Sequence, residues 1–293
     1  MMKESFLKYL RLERNYSEKT VVSYGTDLEK FECYLKGLDS GLRLENADVD
    51  IVRGWILEMM DAGMAETSVN RKLSTLRAFY KYLLKKGVIT VDPMLVVKGP
   101  KRKKPLPAFV KESDMDRLLD GGSFDDSFSG VRDKLVLSVL YETGMRLSEL
   151  ISLNDSDVDL HKSVLKVTGK RNKQRYIPFG EQLKAEIESY LNIRNREVKN
   201  HCEAFFVREN GQMLYPMMVY RLVKQNLSKV VTLKKRSPHV LRHSFATAML
   251  NNEAELETVK EILGHESVTT TEIYTHTTFE ELKKVYKHAH PRA

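Results

Sequence analysis

The sequence predicts a mainly α chain with a small β-sheet, split into a helical N-terminal domain and a larger mixed α/β domain. Three observations carry that prediction. Apolar residues recur at helical spacing through the first hundred residues. The pattern then breaks into KGPKRKKPLPAFV, where three prolines and the basic run Lys101–Lys104 leave nothing to bury. Beyond that break, the strand-like runs Val164–Thr168 and Arg175–Pro178 flank the basic turn GKRNK at hairpin spacing. A length of 293 residues also exceeds the usual size of one domain. The expected organisation is a helical domain over 1–96, a basic proline-containing linker over 97–110 and a second domain over 111–293.

The first domain reads as four amphipathic helices near 3–14, 17–37, 48–63 and 66–87. Ser17 is placed to cap the second, Leu28, Phe31 and Leu35 form one apolar stripe, and Gly63 and Gly87 follow two helices as stop signals. In the second domain Ser113 and Asp116 read as a capping pair for a helix closed by Gly121 and Gly122. A further helix is expected over 131–143, and after the hairpin others near 181–195, 216–230, 238–251 and 256–263. A final helix opens at Thr278, which with Glu281 can form a capping box.

Composition narrows the classes of function. A formal charge of +8 favours an anionic partner without proving one. Cys33 and Cys202 stand far apart without CxxC spacing, so neither a disulfide framework nor a zinc site is expected, and a reducing cytosol fits. The opening MMKESFLKYLRLERN alternates charged and apolar residues, unlike a signal peptide, and no stretch approaches the length of a membrane span.

Several polar residues have a chemistry that local pattern alone does not absorb. In SPHVLRHSF, Ser237 suits an N-cap and Pro238 the first helical position, so His239 lies in a first turn, the end that attracts anions. Arg242 is three residues on, on the same helix face and away from the stripe Leu241, Phe245, Ala248 and Met249. Taken alone, the pair is first read as a solvated helix face, with a phosphate site as the sharper reading. Arg146 follows the helix-ending Gly144, with Glu149 at a spacing that lets a carboxylate steady a guanidinium. An ordinary surface ion pair has the same spacing. Two arginines converging on one phosphate would present forked donors to a phosphoryl transition state, which a lysine cannot imitate. Lys170 sits in the hairpin turn, where an ammonium can protonate a leaving oxygen; Lys173 competes for that role. His265 follows Gly264, and Tyr274 lies nine residues later in a threonine-rich segment, with His276 beyond it. A phenol with a reference pKa near 10 needs cationic neighbours to attack phosphorus.

In order, Arg146 in TGMRLSEL, Lys170 in VTGKRNKQR, His239 and Arg242 in SPHVLRHSFAT, His265 in LGHESV and Tyr274 in TTTEIYTH resemble the complete active-site signature of the tyrosine recombinases, the phage integrase family. The resemblance covers essentially the whole chain, and its length and ending YTHTTFEELKKVYKHAHPRA look most like the Xer recombinases. It implies a helical core-binding (SAM-like) domain and a tyrosine-recombinase catalytic domain. It also implies the chemistry: Tyr274 attacks the scissile phosphate and joins the DNA 3′ end, releasing a 5′ hydroxyl. Arg146 and Arg242 then stabilise the transition state, Lys170 protonates the leaving oxygen, His239 and His265 assist in proton handling, and Glu149 orients the site. No cofactor is implied and nothing demands a metal, since neither a Walker motif nor a compact carboxylate cluster is present.

The partners implied by the resemblance are double-stranded DNA with paired half-sites and, on it, a homotetramer or a heterotetramer with a related recombinase. A DNA translocase, chromosome-dimer resolution and a cytoplasmic, nucleoid-associated setting are typical of Xer systems. Phe279, Leu282, Val285 and Tyr286 give an apolar face that either docks on a neighbouring subunit, as the family's terminal helix does, or packs within its own chain. Three positions depart from the family pattern: Arg171 and Glu253 stand where glycine is common, and Glu266 where a small polar residue is frequent. Arg171 bears on the hairpin that delivers Lys170. Competing readings are a mobile-element integrase or excisionase of the same chemistry, disfavoured because no extra N-terminal arm-binding domain is apparent; a type IB topoisomerase; and a DNA-binding protein without catalysis.

Overall fold

The computed structural model describes residues 2–101, 108–169, 172–264 and 276–293, the last stretch with side chains from Glu281 onward. Among them the chain forms twelve α-helices and one three-stranded sheet. It divides into two compact units, Met1–Pro105 and Leu106–Ala293. Among the described residues no helix is long and apolar enough to cross a membrane.

The N-terminal unit packs α1 (Met2–Leu12), α2 (Glu18–Leu38), α3 (Val49–Asp61) and α4 (Glu66–Lys85) around one apolar core. Helix α2 starts where Ser17 accepts from the Thr20 amide, and α3 where Asp48 accepts from the amides of Asp50 and Ile51. Both caps satisfy N–H groups that a helix start leaves open. Leu28, Phe31 and Leu35 are fully buried against Val52, Trp55, Leu76 and Phe79. One charge enters this core: Asp27 of α2 accepts from Arg71, Lys72 and Thr75 of α4, tying the two helices together. Val97 is buried and Asn70 donates to the Pro100 carbonyl, so this core reaches four residues into the proline- and lysine-rich stretch.

In the C-terminal unit α6 (Phe128–Thr143) is central, with every residue from Leu135 to Thr143 buried. It packs against α8 (Glu181–Glu197) and α10 (Pro238–Asn251). Its start lies three residues before the expected one, because Ser127 accepts from the Gly130 amide. Helix α5 (Glu112–Asp120) is capped at Lys111, not by the expected pair; Ser113 lies within it and Asp116 is engaged elsewhere. The sheet runs β1–β2–β3 and is antiparallel, with β1 at Val158–Asp159, β2 at Val164–Thr168 and β3 at Gln174–Pro178. The hairpin register sets Val164 opposite Pro178 and Thr168 opposite Gln174. Two elements escape periodicity: β1 is two residues long, and α7 (Leu147–Ile151) only five. Helices α9 (Pro216–Val230) and α11 (Leu256–Leu263) match their expected bounds.

The terminal helix α12 spans His276–Ala289, so it begins two residues before the expected start and Thr278 lies inside it rather than capping it. Its apolar face packs within its own chain, with Leu282 and Tyr286 buried in the C-terminal core and Val285 against it; the Phe279 side chain lies outside the described residues. After α12 the Arg292 guanidinium reaches Asp116 at 3.0 Å, Asp120 at 2.7 Å and Glu142 at 3.3 Å. The His290 ring stacks on Tyr286 and Phe245 and meets the edge of Tyr141. Burial, followed by repulsion from Glu186, pushes the Glu142 carboxyl up to about 8 despite Arg292.

Two outcomes are expected. Glu253, after α10, has φ 65, a left-handed conformation that costs a β-carbon-bearing residue about 1 kcal/mol or more. Glu253→Gly raises the urea midpoint by an amount equivalent to about 1 kcal/mol; an unchanged midpoint would show the strain to be absent. Burial also pushes the His290 imidazole down to about 3 from an ordinary 6.5. The folded state then binds no proton where the unfolded chain binds one, so this contribution is complete above the unfolded value and drains as pH falls toward 3. His290→Phe keeps the ring packing and removes the titration, so its melting temperature falls less than that of the unsubstituted chain between pH 6.5 and 4.

Candidate active site

Helix α6 ends at Gly144, whose φ of 59 and close surroundings both call for glycine: a β-carbon there would stand 2.5 Å from Phe245 and 2.8 Å from Leu263. The chain therefore turns tightly against α10 and α11 and delivers Arg146 as the N-cap of α7. Glu149, one turn into α7, accepts from the Arg146 amide at 2.8 Å and from Arg146 Nη1 at 2.8 Å. The i, i+3 spacing read from the sequence is thus a real contact, with Glu149 only 2% exposed.

A third arginine completes the carboxylate's shell. Arg175 of β3 donates Nη1 and Nη2 to the two Glu149 oxygens, both at 2.9 Å, and Nε to the Ile262 carbonyl at 2.7 Å. Arg242 of α10 donates to the carbonyls of Gly144 and Leu263, each at 2.7 Å. Arg146 Nη2 donates to the Gly264 carbonyl at 3.0 Å. Three consecutive carbonyls at the C-terminal end of α11, of Ile262, Leu263 and Gly264, thereby accept from three arginines on three different elements. A helix end leaves these carbonyls without helical partners and carries negative partial charge, so cations are favoured there.

The electrostatics follow from this crowding. Burial, then repulsion from Arg146 and Arg175, pushes the Arg242 guanidinium down to about 10, still ionised at neutral pH. Burial raises the Glu149 carboxyl, but the hydrogen bonds and charge of Arg175, joined by Arg146, outweigh it and hold the group below the usual carboxylate range. Three guanidiniums against one carboxylate leave two positive charges at the end of α11. Such a site can hold a singly charged phosphodiester and stabilise the extra negative charge of its transition state.

Arg242 is half-buried and turned to α11, whereas sequence placed it on an outward face with His239; His239 itself is exposed, in the first turn of α10. Ser237 caps that helix by backbone geometry without a side-chain bond. Lys170, His265 and Tyr274 lie outside the described residues. Gly169, next to Lys170, is close to the arginines: a β-carbon on it would stand 3.4 Å from Glu149 Oε1 and 3.9 Å from Arg146 Nη1. The competing Lys173 is exposed, and its carbonyl accepts from the Gly169 amide at 2.7 Å across the hairpin turn. The sequence reading missed Arg175. Its signal was strand phase, because Arg175 alternates with Ile177 on the inward face, where an arginine needs a buried partner. Among the described residues no group of three or more His, Cys, Asp or Glu is arranged to hold a metal.

Comparison with known proteins bears on this geometry. The phage integrase family model matches residues 108–281, and the model of its N-terminal SAM-like domain matches residues 4–87. The chain is 41% identical to the tyrosine recombinase XerC of Chlorobaculum parvum, over 99% of this chain and 94% of that one. It is 36% identical to the tyrosine recombinase XerD of Oceanobacillus iheyensis, over 99% and 98% of the two chains. Its fold matches that of the XerH site-specific recombinase bound to a palindromic difH substrate in a post-cleavage complex, with a TM-score of 0.73 and 21% identity over 96% and 83% of the two chains.

Gly144→Ala tests the tight turn. The added methyl strains the left-handed backbone and meets Phe245 and Leu263, so a loss of about 1–3 kcal/mol in thermal or urea unfolding is expected.

Proposed function

This chain belongs to the phage integrase family, and on that premise we propose that it cuts and rejoins DNA with Tyr274 as nucleophile and the Arg146–Arg242 pair as the phosphate clamp. That it is a tyrosine recombinase follows from the family and from the Xer relatives. One observation carries the assignment of roles: both guanidiniums are fixed at the end of α11, and the sequence after Gly264 supplies His265 and Tyr274.

The Tyr274 oxygen attacks phosphorus, the P–O5′ bond breaks, and Lys170 gives its proton to the leaving 5′ oxygen. The phosphotyrosine keeps the energy of the broken bond, so a 5′ hydroxyl from the partner strand reverses the step without ATP. Arg146 and Arg242 neutralise the non-bridging oxygens, while Glu149 steadies Arg146. His239 and His265 hydrogen-bond the same phosphate and handle the tyrosine proton. Loss of one such charged donor costs about 10²–10³ in rate.

Identity across almost the whole chain with XerC and XerD recombinases supports action on a short chromosomal site with paired half-sites, resolving chromosome dimers. A tetramer assembles on two DNA sites, either of one chain or with a related recombinase, because four strands are exchanged in pairs. A DNA translocase as trigger, and a cytoplasmic, nucleoid-associated setting, complete this reading.

The test is an SDS-resistant covalent adduct on host genomic DNA. The unsubstituted chain forms it at one partly palindromic chromosomal site, and Tyr274→Phe binds DNA but forms none; cleavage by Tyr274→Phe would exclude this nucleophile. Adducts at element junctions would indicate an integrase instead. Lys170→Ala is slow on ordinary DNA and recovers when the leaving oxygen is replaced by sulfur, which needs no proton to depart. If Lys173→Ala is the variant that sulfur rescues, the acid is Lys173.

A further inference from the structure

We propose that Arg175 is a positioning residue for strand cleavage: through Glu149 it frees and aims the Arg146 guanidinium, and through Ile262 it fixes the end of α11. This inference rests on the proposed function above and extends it to a residue outside the active-site signature.

Arg175 is 6% exposed, and all three of its nitrogens are engaged, two on Glu149 and one on Ile262. It is turned inward with every nitrogen already engaged, so its effect on chemistry passes through its partners. The partner that matters is Glu149. A buried carboxylate with Arg146 as its only cation would draw that guanidinium into a closed pair and cancel its charge. Arg175 supplies the second cation. It occupies both carboxylate oxygens, so Arg146 keeps one nitrogen on Glu149 and another on Gly264 and retains positive charge toward a substrate. Lysine cannot reproduce this, because a point charge does not grip both oxygens and a backbone carbonyl together.

The second contact concerns what leaves α11. Gly264 has φ 65, and a β-carbon on it would stand 3.2 Å from Arg175 Cδ, Nε and Nη1, so the helix end is seated against the guanidinium. The chain beyond Gly264 carries His265 and Tyr274. Arg175 is also part of the hairpin whose turn carries Lys170, five residues earlier. Seating β3 against Glu149 therefore sets Arg146 and docks the acid-bearing hairpin in one step.

Single-turnover cleavage of a nicked duplex that traps the phosphotyrosine tests this, using the full chain. Arg175→Lys is expected to bind DNA within about threefold of the unsubstituted chain while forming adduct at least ~30-fold more slowly. The readout that separates positioning from mere stability is a scissile methylphosphonate, which is neutral and needs less guanidinium charge. On that substrate the Arg175→Lys deficit shrinks to within about fivefold. An equal deficit on phosphate and methylphosphonate, or none on either, overturns the proposal. If Arg175→Lys does not fold, the pair Glu149→Gln with Arg175→Gln removes both charges. Its cleavage rate is expected to be no lower than that of Glu149→Gln alone, and additive losses would overturn the coupling. Absence of any adduct from the unsubstituted chain overturns the catalytic reading itself, whereas a normal adduct with indifferent Arg175 variants overturns only this inference.

Discussion

The C-terminal end of α11 is the point on which the catalytic unit depends. A helix of eight residues ends with carbonyls that nothing in its own backbone can satisfy. Here the unmet acceptors are used: Ile262, Leu263 and Gly264 each take a hydrogen bond from a different arginine. Like charges that would otherwise repel are gathered by a common anionic surface, and Glu149 adds a full negative charge beneath them. The arrangement caps a helix and holds three guanidiniums together at its end.

Buried charge recurs elsewhere for a different purpose. In the N-terminal unit Asp27 joins α2 to α4 through Arg71, Lys72 and Thr75, and in the C-terminal unit Arg292 gathers Asp116, Asp120 and Glu142. Removing Asp27 would leave the buried Lys72 ammonium without its partner, typically at a cost of about 3–5 kcal/mol, whereas Arg71, Asp116 and Asp120 are about half exposed and their pairs contribute less. These clusters link elements that are distant in sequence: α2 to α4, and the residues after α12 to α5 and α6. The Arg292 cluster also seats the residues after α12, whose apolar face fills its own core instead of standing free.

Much of this fold was legible because it obeys period. Helices α1 to α4 and the β2–β3 hairpin show their apolar faces at the spacing their geometry requires, and Leu28, Phe31 and Leu35 lie where the pattern put them. Elements shorter than their own period were not legible: β1 cannot display alternation, nor α7 a full stripe. Local lookalikes misled at two starts, where Ser113 and Thr278 have capping chemistry but lie inside helices. In the site, the Arg146–Glu149 contact was readable because it is local. The turn of Arg242 toward α11 and the contacts of Arg175 with Glu149 and Ile262 were not, because their partners are distant in sequence.

That distance has a consequence for when the arginine cluster can form. Arg146 and Gly264 are 118 residues apart, and Arg175 and Ile262 are 87 apart. Contacts of such separation need both segments to have been made and the intervening loop to be closed. A nascent chain therefore carries its arginines before it has the helix end on which they meet. The arginine cluster can exist only once the chain has been made as far as Gly264.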